Sequence, residues 1–174
     1  DISTAGAARA SRWGVHVLVV EDEPTVAQLI ADVLSAEGHH VDIVLDSRVG
    51  LSSAMKNKYD LIICDLRMPR LDGRAFHRAL VRAGNSAQHR LVFVTGDTLS
   101  SHTLDFLGKS GLPYLAKPFL VEELKDVVTR ALQSRLAASD LADSAGPAQG
   151  LSNLSKEAAA RADSHKPAEG TRRT

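Results

Sequence analysis

The sequence has 174 residues, room for one ordinary domain with some chain around it. Hydrophobic residues make up 44% and charged residues 24%, while 21 basic and 21 acidic side chains cancel, so no overall field draws the chain to nucleic acid or an anionic membrane. Its aliphatic runs are strand-sized, too short to cross a bilayer as a helix, and the single cysteine, Cys64, excludes an internal disulfide. With no leader pattern visible, the expected location is the cytoplasm.

Residues 1–14 are small and polar and read as a linker. From 15 to 136 short aliphatic runs alternate with longer amphipathic stretches. VHVLVV (15–20) opens the series as a strand, and Pro24 suits the first turn of a helix. Val26, Leu29, Ile30, Val33 and Leu34 continue that helix at its period, and Gly38 stops it. VDIVL (41–45) is the second strand, followed by a helix over 47–57. DLIIC (60–64) and a helix over 73–83 come next, then RLVFVT (90–95). A helix over 98–109 puts Leu99, Thr103, Phe106 and Leu107 on one face. PYLA (113–116) is the last strand, and Leu120, Leu124, Val127, Val128, Ala131 and Leu132 mark the final helix.

Continuous β-branched runs, rather than strict alternation, predict strands buried on both faces of a parallel sheet. Five strands alternating with five helices predict right-handed crossovers and a doubly wound α/β sandwich. Residues 137–174 hold only Leu141, Leu151 and Leu154 as large apolar groups, so a disordered tail is expected there.

In an open α/β sheet, functional groups gather beyond the carboxyl ends of the strands. The sequence puts Glu21, Asp22 and Glu23 after the first strand, Asp65 after the third, Thr95 at the end of the fourth and Lys117 after the fifth. Each alone reads as a cap or a solvated loop. Together they bring carboxylates, a hydroxyl and an ammonium to one edge. Crowded carboxylates need a cation, and an oxygen-only set suits Mg²⁺. A carboxylate there can attack phosphorus to give an acyl phosphate, with catalysis resting on positioning and charge neutralisation.

VLVVEDEP, DLIICDLRMPRLDG, VTG and YLAKPF, in this order, resemble the receiver domain of two-component response regulators over roughly residues 15–135. The resemblance implies a (βα)5 flavodoxin-like sandwich with strand order 2-1-3-4-5. It implies that Asp65 is the phosphoacceptor, that Glu21 and Asp22 are the acidic pair, and that the carbonyl of Arg67 completes the Mg²⁺ shell. It further implies Thr95 as the switch hydroxyl, Tyr114 as the switch aromatic and Lys117 as the phosphate-pairing lysine. Glu21 stands where Asp is frequent, a departure that still allows a water-mediated contact. The implied function is a signalling step rather than an enzyme's turnover. A phosphohistidine on a histidine kinase or phosphotransfer protein is the donor, and a protein-interaction face, possible in a phosphorylation-dependent dimer, is the output. The segment FLGKSGLPYLAKPF resembles the receivers of hybrid histidine kinases, with a stand-alone regulator as the alternative.

Two rivals stand beside this reading. One is a receiver-like interaction module that carries no phosphate, against which the acidic pair, Asp65 and Lys117 argue. The other is a metal-dependent phosphohydrolase of the haloacid dehalogenase type. It requires a second aspartate two residues after the nucleophile, and Arg67 stands there. Three local expectations complete the reading. MPRLDG is turn-forming, with Gly73 permitting a left-handed or tight backbone. The Lys117-Pro118 bond is expected to be cis. Arg67 and Asp97 either form an ion pair at the rim or both point into solvent.

Overall fold

The computed structural model describes residues 14–97 and 100–144. Residues 1–13 of the expected linker, Leu99 and residues 145–174 of the expected tail lie outside the described residues. In chain order the elements are β1 (His16–Val20), α1 (Pro24–Ala36), β2 (His40–Val44), α2 (Ser47–Lys56), β3 (Leu61–Asp65) and α3 (Gly73–Arg82). A 3₁₀ turn (Ser86–His89), β4 (Leu91–Thr95), α4 (Ser101–Ser110), β5 (Tyr114–Ala116) and α5 (Val121–Ser144) follow. The five strands are all parallel, in the order β2-β1-β3-β4-β5 expected of the doubly wound fold.

Alternate residues of the central strands feed two cores. Val17, Val19, Ile63, Val92 and Val94 pack with Ile30 and Leu34 of α1 and Leu124 and Val128 of α5. Leu18, Val20, Ile62, Cys64 and Phe93 face the other way, against Phe76 and Leu80 of α3 and Leu107 of α4. Each of these large side chains is worth about 1.5–3 kcal/mol of burial. Burial on both faces holds for β1, β3 and β4 but not for β2 or β5. Those two are the sheet edges, each with a strand neighbour on one side only.

Local chemistry sets the helix ends. Pro24 opens α1, and Gly38 at φ +89° closes it, its N–H donating to Ser35 while His39 N–H reaches back to Leu34. The side chains of Asp46, Asp72 and Ser100 cap α2, α3 and α4. α5 continues past the expected boundary at 136 to Ser144, because Ala137, Ala138 and Ala142 favour helix. The first compact unit ends at Ala138, and the described residues of the second, 139–144, are helical.

Of the two expectations at Gly73, a left-handed or a tight backbone, the structure has the tight one. The positive φ in this turn, +70°, falls on Arg70 instead. What Gly73 supplies is closeness, since a Cβ there would meet the Asp65 carbonyl oxygen at 2.7 Å. The start of α3 thus rests directly on the main chain of Asp65.

Candidate functional site

Asp65 is the last residue of β3, and its side chain is only 6% exposed. Lys117 directly follows β5, the Lys117-Pro118 bond after it is cis as expected, and its own N–H donates to the Thr95 carbonyl at 2.7 Å. From there its ammonium lies 3.1 Å from Asp65 Oδ2 and 2.8 Å from Glu21 Oε2, with Glu23 at 3.9 Å. Carboxylate oxygens of Glu21, Asp22 and Asp65 come within 4.8 Å of one another, Glu21 and Asp65 buried and Asp22 exposed.

The electrostatics of this group are unbalanced. Burial pushes the Glu21 carboxyl up to about 7, opposed by its hydrogen bond from Lys117 and reinforced by the charge of Asp65. Its Oε2 has no partner among the described residues except the Lys117 ammonium. Burial works to lower the Lys117 pKa, yet Glu21 and Asp65 outweigh it and the pKa is raised. One ammonium faces three carboxylates, so the donor set has room for a hard dication and matches the oxygen-rich chemistry that Mg²⁺ requires.

Arg67 meets Asp65 through its main chain, the Arg67 N–H donating to Asp65 Oδ1 at 3.0 Å. Its guanidinium turns outward and pairs with Asp97 Oδ2 at 2.8 Å, the first of the two arrangements the sequence allowed. Asp97 also gathers the start of α4: Oδ1 accepts from Ser100 N–H at 3.1 Å and Oδ2 from the buried Thr103 hydroxyl at 3.4 Å. Desolvation opposes ionisation of Asp97, but the Ser100 amide and Arg67 overcome it and hold the carboxyl below its ordinary range.

Thr95 is fully buried at the end of β4, and its hydroxyl accepts from Asp97 N–H at 3.0 Å. Tyr114 begins β5 and is 45% exposed, so the structure leaves its ring outside the carboxylate cluster. Cys64 is a buried core residue whose thiol pKa is raised by desolvation, as a small hydrophobe's should be. Four contacts escaped the sequence reading. Ser100 and Thr103 anchor Asp97, Ser47 Oγ donates to the Pro69 carbonyl at 3.3 Å, and Arg70 pairs with Asp46. Asp46 carried a signal as a helix cap, but nothing local marks Arg70 as its partner.

The chain matches the family model "Response regulator receiver domain" over residues 17–129. It is 34% identical to the transcriptional regulatory protein RprY of Bacteroides fragilis, over 63% of this chain and 46% of that protein. The chemotaxis protein CheY4 of Vibrio cholerae superposes with a TM-score of 0.61 at 30% identity, over 68% of this chain and 99% of that one. The receiver domain of the Pseudomonas aeruginosa sensor histidine kinase PA1611, solved with a magnesium ion in its active-site cleft, gives 0.60 at 31% identity, over 68% of this chain and 98% of that one. The chain spans about half the length of curated relatives such as RprY and the staphylococcal regulator ArlR. Family model, sequence relatives and superposed structures agree with the five-stranded parallel sheet, and the chain belongs to the receiver domains of two-component response regulators.

Proposed function

We propose that Asp65 accepts a phosphoryl group from a phosphohistidine on a histidine kinase or phosphotransfer protein. The observation that carries this is the Lys117 ammonium, 3.1 Å from the buried Asp65 carboxylate. In the transfer an Asp65 oxygen forms a bond to phosphorus as the phosphorus–nitrogen bond of the donor breaks, its electron pair staying on the imidazole. Lys117 pairs with a phosphoryl oxygen while charge redistributes. Glu21, Asp22, Asp65 and the Arg67 carbonyl would hold Mg²⁺, which offsets phosphoryl charge when bound. Thr95 then redirects its hydroxyl proton from the Asp97 carbonyl, 3.4 Å away, to a phosphoryl oxygen, and Tyr114 turns inward. The face they change carries exposed Leu104 of α4, Tyr114 of β5 and Leu120 before α5, apolar groups suited to a protein partner or a phosphorylation-dependent dimer.

The parent we propose is a cytoplasmic receiver of a hybrid histidine kinase, on the character of FLGKSGLPYLAKPF and the 31% identity to a sensor kinase's receiver. The transcriptional regulators among the relatives favour a second reading, a DNA-binding output elsewhere in the parent chain. Incubation with acetyl phosphate and Mg²⁺ followed by intact mass tests the acceptor step. One added phosphoryl group is expected, and an unmodified mass would leave a receiver-like module that carries no phosphate.

Two further outcomes follow from the geometry. Mg²⁺ should stabilise the folded chain by about 1.4 kcal/mol at ten times its Kd, read as a rise in melting temperature. Asp22→Ala, at an exposed carboxylate, should remove most of that response without lowering the metal-free melting temperature. Equal Mg²⁺ responses in both proteins would count against this ligand set.

The second concerns the lifetime of the phosphate. The Arg67–Asp97 pair spans the rim beside Asp65, where it hinders an attacking water. With the arginine side chain 70% exposed, the pair is worth at most about 1 kcal/mol. Arg67→Ala and Asp97→Ala should therefore each speed phosphate loss by up to about fivefold, and the double variant no further. Four equal lifetimes, timed after the phosphodonor is removed, would show that this rim does not set the rate.

A further inference from the structure

Residues that precede β3 and β4 lie at the end of the sheet opposite Asp65, because all strands are parallel. A cleft of about 880 Å³ opens there between the end of α2, the turn after α3 and α5. That is within the size range of small-molecule sites. Its lining includes four cationic side chains, Lys56, Lys58, Arg90 and Arg135, and one acidic one, Asp60. At the other end Glu21, Asp22 and Asp65 gather, while at this one Asp60 and Asp42 are already engaged, by Arg135 and by the Tyr59 hydroxyl.

Two of the four cations are held in fixed orientation. Arg90 donates through Nη1 to the Tyr59 carbonyl at 2.9 Å and through Nη2 to Ser86 Oγ at 3.1 Å. Arg135 uses Nη1 alone, on the Asp60 carboxylate at 2.6 Å and the Asp60 carbonyl at 3.3 Å. A guanidinium has five N–H groups in a planar fork, so both arginines keep donors for a further acceptor without new ordering cost. Lys56 and Lys58 form no ion pair with an acid among the described residues. Folding accounts for the arginines and leaves the lysines without a structural task. The carbonyl ends of α2 and α3 oppose an anion by roughly half a charge each, less than the surplus of cations.

We infer that this cleft binds a small phosphate-bearing anion of the diphosphate class, such as a nucleoside diphosphate. A phosphate group can take both N–H groups of a guanidinium fork, and a diphosphate carries enough negative charge for the lysines as well, which a single carboxylate does not. The ligand would tie α5 to the α2–β3 connection, which Arg135 and Asp60 already join. This site is independent of the phosphoacceptor reading, since it shares no residue with it.

Calorimetric titration of the whole chain with pyrophosphate and with ADP, both free of Mg²⁺, tests the inference. Saturable one-to-one binding is expected, weakened at least about tenfold in Lys56→Glu/Lys58→Glu and unchanged in Asp65→Asn. The lysines are exposed, so charge reversal leaves the fold intact, and circular dichroism checks this. Absence of binding at millimolar ligand, or equal binding by the double variant, would overturn the proposal. So would lysine-dependent binding of a polyglutamate peptide but of neither phosphate compound, which would make the cleft a docking site for an acidic protein segment.

Discussion

Asp65→Asn is expected to abolish phosphorylation outright. The amide is isosteric with the carboxylate but lacks the anionic oxygen that attacks phosphorus. The surroundings tolerate it, because the carbonyl oxygen of asparagine still accepts the Arg67 N–H and Lys117 keeps its 2.8 Å contact with Glu21. Loss of label therefore reads as loss of chemistry, provided the thermal transition remains. Glu21, Asp22 and Asp97 stay in place as internal controls. Intact mass after acetyl phosphate and Mg²⁺ gives the answer, and a phosphoryl group on the variant would move the acceptor to one of those three.

A second large effect is expected in metal-free protein at Glu21. Its carboxyl pKa is raised from 4.5 to about 7, chiefly by burial, so the folded state holds the proton more tightly than the unfolded chain does. Between those values the folded state binds more protons, and stability contributed by this group falls as pH rises. Above about 7 the loss is complete, at roughly 2–3 kcal/mol in this shared cluster. Glu21→Gln should remove the slope, stabilising the chain at pH 8 in EDTA and changing little near pH 4.5. Urea unfolding at several pH values measures it. Parallel profiles for the two proteins would mean that Lys117 already neutralises the buried charge.

The strands were legible in the sequence to within a residue because buried parallel strands are continuous aliphatic runs, and the strand-end rule then located Glu21, Asp22, Asp65, Thr95 and Lys117. Edge character was not legible. VDIVL reads like a core strand, yet β2 is largely exposed, a fact set by sheet order rather than by composition. The anchoring of Asp97 by Ser100 and Thr103 depends on how α4 docks, and Arg70, left-handed in its backbone, pairs with Asp46 far away in sequence. Neither has a local signature. The last helix outran its hydrophobic stripe because alanine sustains helix without needing a core.

The position of β1 bears on how the molecule opens. β1 is laddered to β2 on one side and to β3 on the other, and its last four residues are wholly buried. Its amide hydrogens have no local route to water, so they exchange with deuterium only when the whole unit unfolds. β5 has three residues and a single neighbour, and its amides exchange through cheaper, partial openings. The carboxylates of Glu21, Asp22 and Asp65 thus follow the strands that open last, while Tyr114 and Lys117 belong to the strand that opens first or to its end. The proposed acceptor and its acidic neighbours rest on the least labile part of the sheet, and the lysine and the proposed switch aromatic on the most labile.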